Sequence, residues 1–308
     1  MRTRLLVVVT FAVALAAGVA ACGSAAGSAS GPLKVVATTS FLRDIAQNVA
    51  GSRFTVGQLI PTGVDPHEFD PTPMEVTAAV QSDLLIVNGA NLEGTLATTL
   101  RNAGGRHVTV VASAGLTPRV PKPGEAAPEH AGEPDPHFWL DPILVIRYVQ
   151  NIRDAFVKAD SSHAAAYQAN AAVYVTKLRR LDVWIRAQVA AIPPAARLLV
   201  MDHLSHGYFA DRYGFRIVGA VIPSVSTGDI VGAKQLAALV KTIEVTGTKA
   251  IFVGLGENPD LARQIAAEAH VKVVTGLLDH SLTPANGPAP TYLAMMRYDV
   301  RLIAEALR

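Results

Sequence analysis

Residues 161–192, SSHAAAYQANAAVYVTKLRRLDVWIRAQVAAI, carry apolar side chains at helical spacing along one face. Asp160 or Ser161 supplies a helix start signal, and Pro193-Pro194 supplies a stop. About 30 residues of helix would extend about 45 Å, at about 1.5 Å per residue. Such a helix either connects two lobes or is an ordinary amphipathic helix inside one lobe, and periodicity alone leaves both open. The apolar positions are Tyr167, Tyr174, Leu178, Leu181, Ile185 and Val189.

Short β-rich runs lie on both sides of this stretch and alternate with longer, Ala-rich helical segments. This alternation is typical of a parallel sheet covered by helices, so it predicts an α/β fold. Because each half contains the same number of runs, the architecture is expected to be duplicated. The predicted strands are 34–39, 54–60, 84–88 and 108–111 in the first half, and 198–202, 216–220, 250–253 and 271–275 in the second.

The N-terminus has the pattern of a targeting segment. Arg2 and Arg4 precede an apolar run that ends in small residues before Cys22, so we expect residues 1–21 to be a signal peptide. Val19-Ala20-Ala21-Cys22 resembles a bacterial lipobox, which predicts that Cys22 is lipidated and that residues 22–32 form a flexible tether. The alternative is an ordinary signal peptide or a single membrane-spanning helix with an incidental thiol.

Composition narrows the class of protein. Cys22 is the only cysteine, so the chain has no internal disulfide and its stability must come from its core. Removal of Arg2 and Arg4 with the signal leaves 25 basic residues for 25 acidic ones. A formally neutral chain gives no indication of nucleic-acid binding.

The tripeptide Asp-Pro-His occurs twice, as Asp65-Pro66-His67 and Asp135-Pro136-His137. His203 directly follows one predicted strand, and Asp279 lies shortly after the last one. Because ligands in open α/β sheets gather at the carboxyl ends of strands, we expect these side chains to meet there. Imidazole and carboxylate are the usual ligands of zinc, and four protein ligands leave no open position for chemistry. The predicted metal ligands are therefore His67, His137, His203 and Asp279.

Each of these residues also has a simpler explanation. A histidine in a polar loop can be merely solvated, His203 can be a buried, hydrogen-bonded histidine, and Asp279 can cap the following turn. Glu68, His206 and His280 are close in sequence to the ligands, and we expect them to orient the imidazoles.

The segment 117–136 contains six prolines and several acidic residues. It predicts a surface loop, and mobility is expected because polar, Pro-rich sequence buries little apolar area. His130 within it either catches metal loosely or is a chance histidine in a solvated loop.

The two Asp-Pro-His blocks, continued as Glu68-Phe69-Asp70-Pro71 and Phe138-Trp139-Leu140-Asp141-Pro142, resemble the zinc/manganese solute-binding proteins of ABC transporters. The blocks at 203–209 and 291–296 are also similar to that family. The resemblance implies two (β/α)4 lobes with parallel sheets joined by one long helix, with the metal site in the interlobe cleft. The implied domains are an N-terminal lobe at 33–160, a linking helix at 161–192 and a C-terminal lobe at 193–308.

The sequence also departs from the family pattern. His206 stands where phenylalanine is usual, Gly254-Leu255-Gly256 replaces a common Glu-Pro-Gln, and His280 replaces the proline after the aspartate. The long histidine-rich loop of many zinc-specific members is reduced to His130. These changes put in doubt whether the cleft surface and the transport partners match those of the family.

The nitrogen-rich ligand set favours Zn2+, because manganese prefers more oxygen ligands; manganese or iron remains the alternative. A zinc hydrolase would need an open metal position and a base, for which only Glu68 and Glu257 are candidates, so we expect no enzyme. The expected partners are an ABC permease and its ATPase subunit, and the membrane through the lipid at Cys22. We expect a monomer outside the cytoplasm; a surface adhesin lipoprotein is the remaining alternative.

Overall fold

The computed structural model describes residues 32–125, 130 and 132–308. The predicted signal peptide, Cys22 and all of the tether except Pro32 lie outside the described residues. Leu33–Arg308 form one compact unit. Among the described residues, no helix combines the length and the apolar character needed to cross a membrane.

The first half of the described chain contains a parallel sheet of four short strands, in the order β2-β1-β3-β4. Apolar runs supply these strands, and their buried side chains belong to two clusters that also contain side chains of helices. The elements are β1 (Val35–Ala37), α1 (Ser40–Ala50), β2 (Val56–Gln58), α2 (Pro73–Val80), β3 (Leu84–Val87), α3 (Gly94–Ala103), β4 (Val108–Val111) and α4 (Val145–Ala159).

The second half repeats this topology, with a parallel sheet in the order β6-β5-β7-β8. All eight strands lie at their predicted places, so the α/β fold with duplicated halves is confirmed. The elements are α5 (Ala164–Ala190), β5 (Leu198–Met201), α6 (Gly207–Tyr213), β6 (Arg216–Ala220), α7 (Ala233–Thr246), β7 (Ala250–Gly254), α8 (Asp260–Glu268), β8 (Lys272–Leu277) and α9 (Tyr292–Leu307).

The long helix α5 lies between the two sheets in the chain, as predicted, after a short 3-10 turn at Ser161–His163. Its 27 residues extend about 40 Å. All six apolar positions that predicted the helix are buried, in a cluster that also contains side chains of α1, α4 and α9. The helix is therefore a central element of the core. The proposed domain boundaries at 160 and 192 stay a prediction.

The described part of the Pro-rich loop is anchored, although its composition predicted mobility. The Arg119 guanidinium pairs with Glu125 at 2.6 Å and with Asp211 of α6 at 2.9 Å. The backbone N–H of Arg119 donates to the Tyr208 hydroxyl at 2.7 Å, and that hydroxyl donates to the carbonyl of Asp135 at 2.8 Å. Ion pairs and hydrogen bonds thus replace apolar burial, and they connect the loop to the second half.

Candidate metal centre

Four histidines converge where the two halves meet. His67 follows β2, His203 follows β5 and His280 follows β8, while His137 begins a 3-10 turn after the Pro-rich loop. The carboxyl ends of parallel strands face the same edge of each sheet, which is why these distant positions meet. The ligand atoms of the four side chains all lie within 4.8 Å of one another.

The two Asp-Pro-His copies build the same local structure. In each copy the backbone N–H of the histidine donates to Oδ1 of the aspartate two residues earlier, at 2.9 Å. This is an Asx-turn, and the proline between the two residues restricts the backbone further. The repeat therefore fixes the direction of His67 and His137 before any ligand binds.

His137 lies at the centre of the group. Its Nε2 is 3.3 Å from Nε2 of His67, 3.3 Å from Nε2 of His203 and 3.2 Å from Nε2 of His280. For zinc–nitrogen bonds of about 2.0–2.1 Å, the edge of a tetrahedron is about 3.3–3.4 Å. These three separations match three of the six edges of that tetrahedron, and the other three are no longer than 4.8 Å.

Carboxylates orient two of the imidazoles. Asp135 Oδ1 lies 2.8 Å from His137 Nδ1, and Asp202 Oδ1 lies 3.0 Å from His203 Nδ1. When the ring is neutral, an aspartate oxygen that accepts the Nδ1 proton leaves the lone pair on Nε2 and directs it into the group. Asp202 is itself held by the Gly254 N–H, which donates to its Oδ2 at 2.6 Å.

Burial keeps three of the histidines neutral. It lowers the pKa of His137 and of His280 well below the usual value, and the neighbouring imidazoles lower both further. Burial and the charge of His203 lower the pKa of His67 to about 4. Metal ions bind neutral imidazole, so these three residues need not lose a proton before they coordinate an ion.

His203 differs from the other three. Burial alone would lower its pKa, but the charge and hydrogen bond of Asp202, followed by the charges of Asp279 and Glu257, raise the pKa to about 9. Near neutral pH this ring therefore carries the positive charge of the group, and a metal ion must displace its proton.

Asp279, the predicted fourth ligand, lies beside the four histidines. It is buried and forms a group with Asp202 and with His203, which belongs to both groups, whereas His280, the next residue, joins the other histidines. Adjacent residues point in different directions, and the Asp279 carbonyl accepts a hydrogen bond from Trp139 Nε1 at 2.6 Å. Among the described residues, Asp279 Oδ2 has no hydrogen-bond partner.

The other two residues expected to orient imidazoles lie nearby. His206 is buried, its Nδ1 is 2.8 Å from Ser205 Oγ, and burial lowers its pKa to about 3. Glu68 is exposed and lines a cavity of about 670 Å³ that reaches His67. Among the described residues, no hydrogen bond joins Glu68 to a histidine ring.

Sequence reasoning did not identify Asp135 and Asp202 as the residues that orient His137 and His203. The signal was present, because an aspartate stands one or two residues before each of these histidines. No role at the site was predicted for Trp139, yet it connects the His137 segment to Asp279. Nothing in its spacing marks that contact.

Similarity to known proteins covers almost all of this unit. Residues 35–306 match the family described as zinc-uptake complex component A, periplasmic. The manganese-binding lipoprotein MntA of Halalkalibacterium halodurans is 31% identical over 276 residues, which cover 89% of this chain and 88% of that protein. The metal ABC transporter substrate-binding lipoprotein FimA of Streptococcus parasanguinis is 30% identical over 279 residues, covering 90% of each chain.

Among solved structures, the periplasmic zinc binding protein TroA from Treponema pallidum is similar with a TM-score of 0.81 and 25% sequence identity. The match covers 90% of this chain and 99% of that chain. The two-lobe α/β architecture is therefore shared, while the names of the similar proteins include both manganese and zinc.

Proposed function

The chain belongs to the family of periplasmic A components of zinc-uptake complexes, and from this premise we propose that its cargo is Zn2+. It is the substrate-binding component of a metal ABC transporter and not an enzyme. The observation that carries the choice of zinc is the convergence of four imidazole Nε2 atoms in one buried group.

We propose His67, His137, His203 and His280 as the ligands. His280 replaces Asp279 in this set, because its Nε2 lies 3.2 Å from His137 Nε2, whereas Asp279 shares a group with His203 and not with His137. Asp279 acts on the site indirectly, through its position beside Asp202 and His203, where burial raises the pKa of its carboxyl well above the usual value.

An all-nitrogen set favours zinc over manganese. Manganese prefers oxygen ligands and higher coordination, whereas zinc forms stable four-coordinate sites with imidazole. Manganese is the alternative cargo, because the similar lipoprotein MntA is named as manganese-binding.

The proposed setting is the outer side of the cytoplasmic membrane. A lipid on Cys22 would hold the protein there, and the similar proteins MntA and FimA are named as lipoproteins. The proposed partners are a membrane permease, which receives the ion from the cleft, and a cytoplasmic ATPase that drives transport.

Competitive titration tests the choice of metal. The purified protein is titrated with Zn2+ in the presence and absence of excess Mn2+, beside the variants His280→Ala and Asp279→Ala. We expect one tight zinc equivalent that manganese does not displace, with a much larger loss of affinity for His280→Ala. Equal competition by manganese, or a larger loss for Asp279→Ala, would contradict the proposed cargo or the proposed ligand set.

A further inference from the structure

A second group of ligand-type side chains adjoins the four histidines. It contains Asp65 from the first half, Glu257 from the second half, and His280, which belongs to both groups. Asp65 and Glu257 are only half-buried, whereas His280 is 5% exposed. This group therefore lies closer to solvent than the buried His137 and His203.

Two glycines bring the two carboxylates together. A Cβ atom added to Gly256 would lie 2.7 Å from the carbonyl oxygen of Gly63, and the φ angle of Gly256 is +93°. Only glycine combines that backbone conformation with so close an approach. Asp65 and Glu257 lie within two residues of this contact, so they face each other across the junction of the halves.

Among the described residues, no Lys or Arg side chain is a main charge partner of Glu257. Burial, followed by the charges of Asp65 and Asp202, raises the pKa of Glu257 to about 7, and His203 is the one group among the main causes that lowers it. Asp65 is held in place, since its Oδ1 accepts from the His67 N–H and its Oδ2 accepts from the Thr227 hydroxyl. The Glu257 carboxylate has no hydrogen bond within the part of the chain that the structure describes. Divalent cations neutralise such arrangements.

We propose that Asp65, Glu257 and His280 form a second divalent-cation position, which the ion occupies on its way between solvent and the four histidines. The proposal rests on the proposed function. Carboxylates accept a partly hydrated ion readily, and this mixed set is expected to bind more weakly than four imidazoles.

His280 contributes to both metal positions, with Nδ1 facing the second position and Nε2 facing the four-histidine group, so the ion occupies them one after the other. Its Nδ1 lies 3.8 Å from Asp65 Oδ1, and its Nε2 lies 3.2 Å from His137 Nε2. A neutral imidazole offers one lone pair, so an ion on Nδ1 leaves the proton on Nε2, and an ion on Nε2 leaves it on Nδ1. Transfer of the ion is therefore accompanied by transfer of one proton between the two nitrogens of the same ring.

Zinc-binding kinetics test the second position in a protein whose four histidines are intact. A position that the ion occupies on its way to the histidines affects association and dissociation alike. We therefore expect Glu257→Gln to slow both rates by about tenfold, a loss typical of residues beside a metal site, with the dissociation constant nearly unchanged. Glu68→Gln is the matched control, because it removes a nearby charge outside the group; it should lower the association rate only slightly. Equal rates for Glu257→Gln and the unchanged protein, or equal effects of the two variants, would overturn the proposal.

Direct binding provides a second test. The variant His137→Ala/His203→Ala keeps the whole second group, and its unfolding curve shows whether it remains folded. Mn2+ is added, and free Mn2+ is followed by electron paramagnetic resonance. We expect one weakly bound equivalent that is lost when Glu257→Gln is added. Absence of that equivalent in the folded variant would overturn the second position, whereas absence of tight zinc binding by the unchanged protein would overturn the proposed function itself.

Discussion

The segments that carry His203 and His280 both follow strands of the second half, but they are held differently. The His203 segment is bonded within that half: Leu204 N–H donates to the Ser224 carbonyl at 2.8 Å, and Asp202 N–H donates to the Phe252 carbonyl at 2.9 Å. The His280 segment is bonded to the first half. Leu282 N–H donates to Ser40 Oγ at 2.8 Å, and Gly63 N–H donates to Ser281 Oγ at 2.8 Å.

Hydrogen bonds of Trp139 and Tyr292 strengthen the attachment of the His280 segment to the first half. Trp139 Nε1 donates to the Asp279 carbonyl, and the Tyr292 hydroxyl donates to the Trp139 carbonyl, each at 2.6 Å. The Tyr292 N–H also donates to Asp44 of α1 at 2.9 Å. Three of the four histidines are therefore tied to first-half elements. His203 is then the ligand that would leave first if the halves moved apart, and a bound ion would add one more connection between them.

The largest effects on zinc binding are expected when His203 or His280 is removed, one at a time. We expect His203→Ala and His280→Ala each to weaken zinc binding by more than about 100-fold, beyond the effect of losing a residue that only orients a ligand. Only His203→Ala should abolish zinc-induced compaction in small-angle X-ray scattering, because His203 is the ligand whose segment is bonded within the second half, whereas the His280 segment is bonded to the first. Zinc-induced compaction that persists in His203→Ala and is lost in His280→Ala would reverse the assignment.

The pH dependence of zinc binding should be set by His203. Its pKa of about 9 means that it is protonated at pH 7, whereas His67, with a pKa of about 4, is not. Zinc displaces one proton, so affinity should rise about tenfold per pH unit from pH 6 to 8 and level off above about 9. Calorimetry in buffers of different ionisation enthalpy counts the released protons. Release of none, or of three, at pH 7 would contradict this account.

The same pKa shift affects the stability of the protein without zinc. The pKa of His203 is about 9 in the folded state and about 6.5 in the unfolded state, so protonated His203 stabilises the fold. This contribution is fully present below about pH 6.5 and is lost as the pH rises through about 9. Denaturant unfolding between pH 6 and 10 should show this loss, and His203→Gln should remove its pH dependence.

Smaller effects are expected from the hydrogen bonds that hold the His280 segment. Trp139→Phe keeps an aromatic ring stacked on Phe41 but leaves the buried Asp279 carbonyl without its donor, which should cost about 1–3 kcal/mol of unfolding free energy. Zinc affinity should fall as well, because His280 is the next residue. Tyr292→Phe is the control for a bond one step further away and should affect zinc affinity less. Equal zinc affinities for Trp139→Phe and the unchanged protein would show that this attachment does not position the ligand.

The sequence was sufficient for the fold because most of its parallel strands are largely buried and appear as short apolar runs between helical segments. It was also sufficient to place His67, His137 and His203 in one group. Repeated tripeptides and strand ends indicate where a side chain lies in the fold, and the residue type indicates which ligand it offers. It could not decide between Asp279 and His280. They are neighbours in an irregular segment, and their directions depend on Trp139 and on Asp299, whose Oδ1 accepts from the Leu278 N–H at 2.9 Å. Those partners lie far away in the chain.

Zinc-edge X-ray absorption of the loaded protein tests the central claim most directly, since it counts and identifies the atoms bound to the ion. The account predicts four imidazole nitrogens at about 2.0–2.1 Å, with one lost in His280→Ala and none lost in Asp279→Ala. A carboxylate oxygen in the coordination shell that disappears in Asp279→Ala, with the nitrogen count unchanged in His280→Ala, would contradict it.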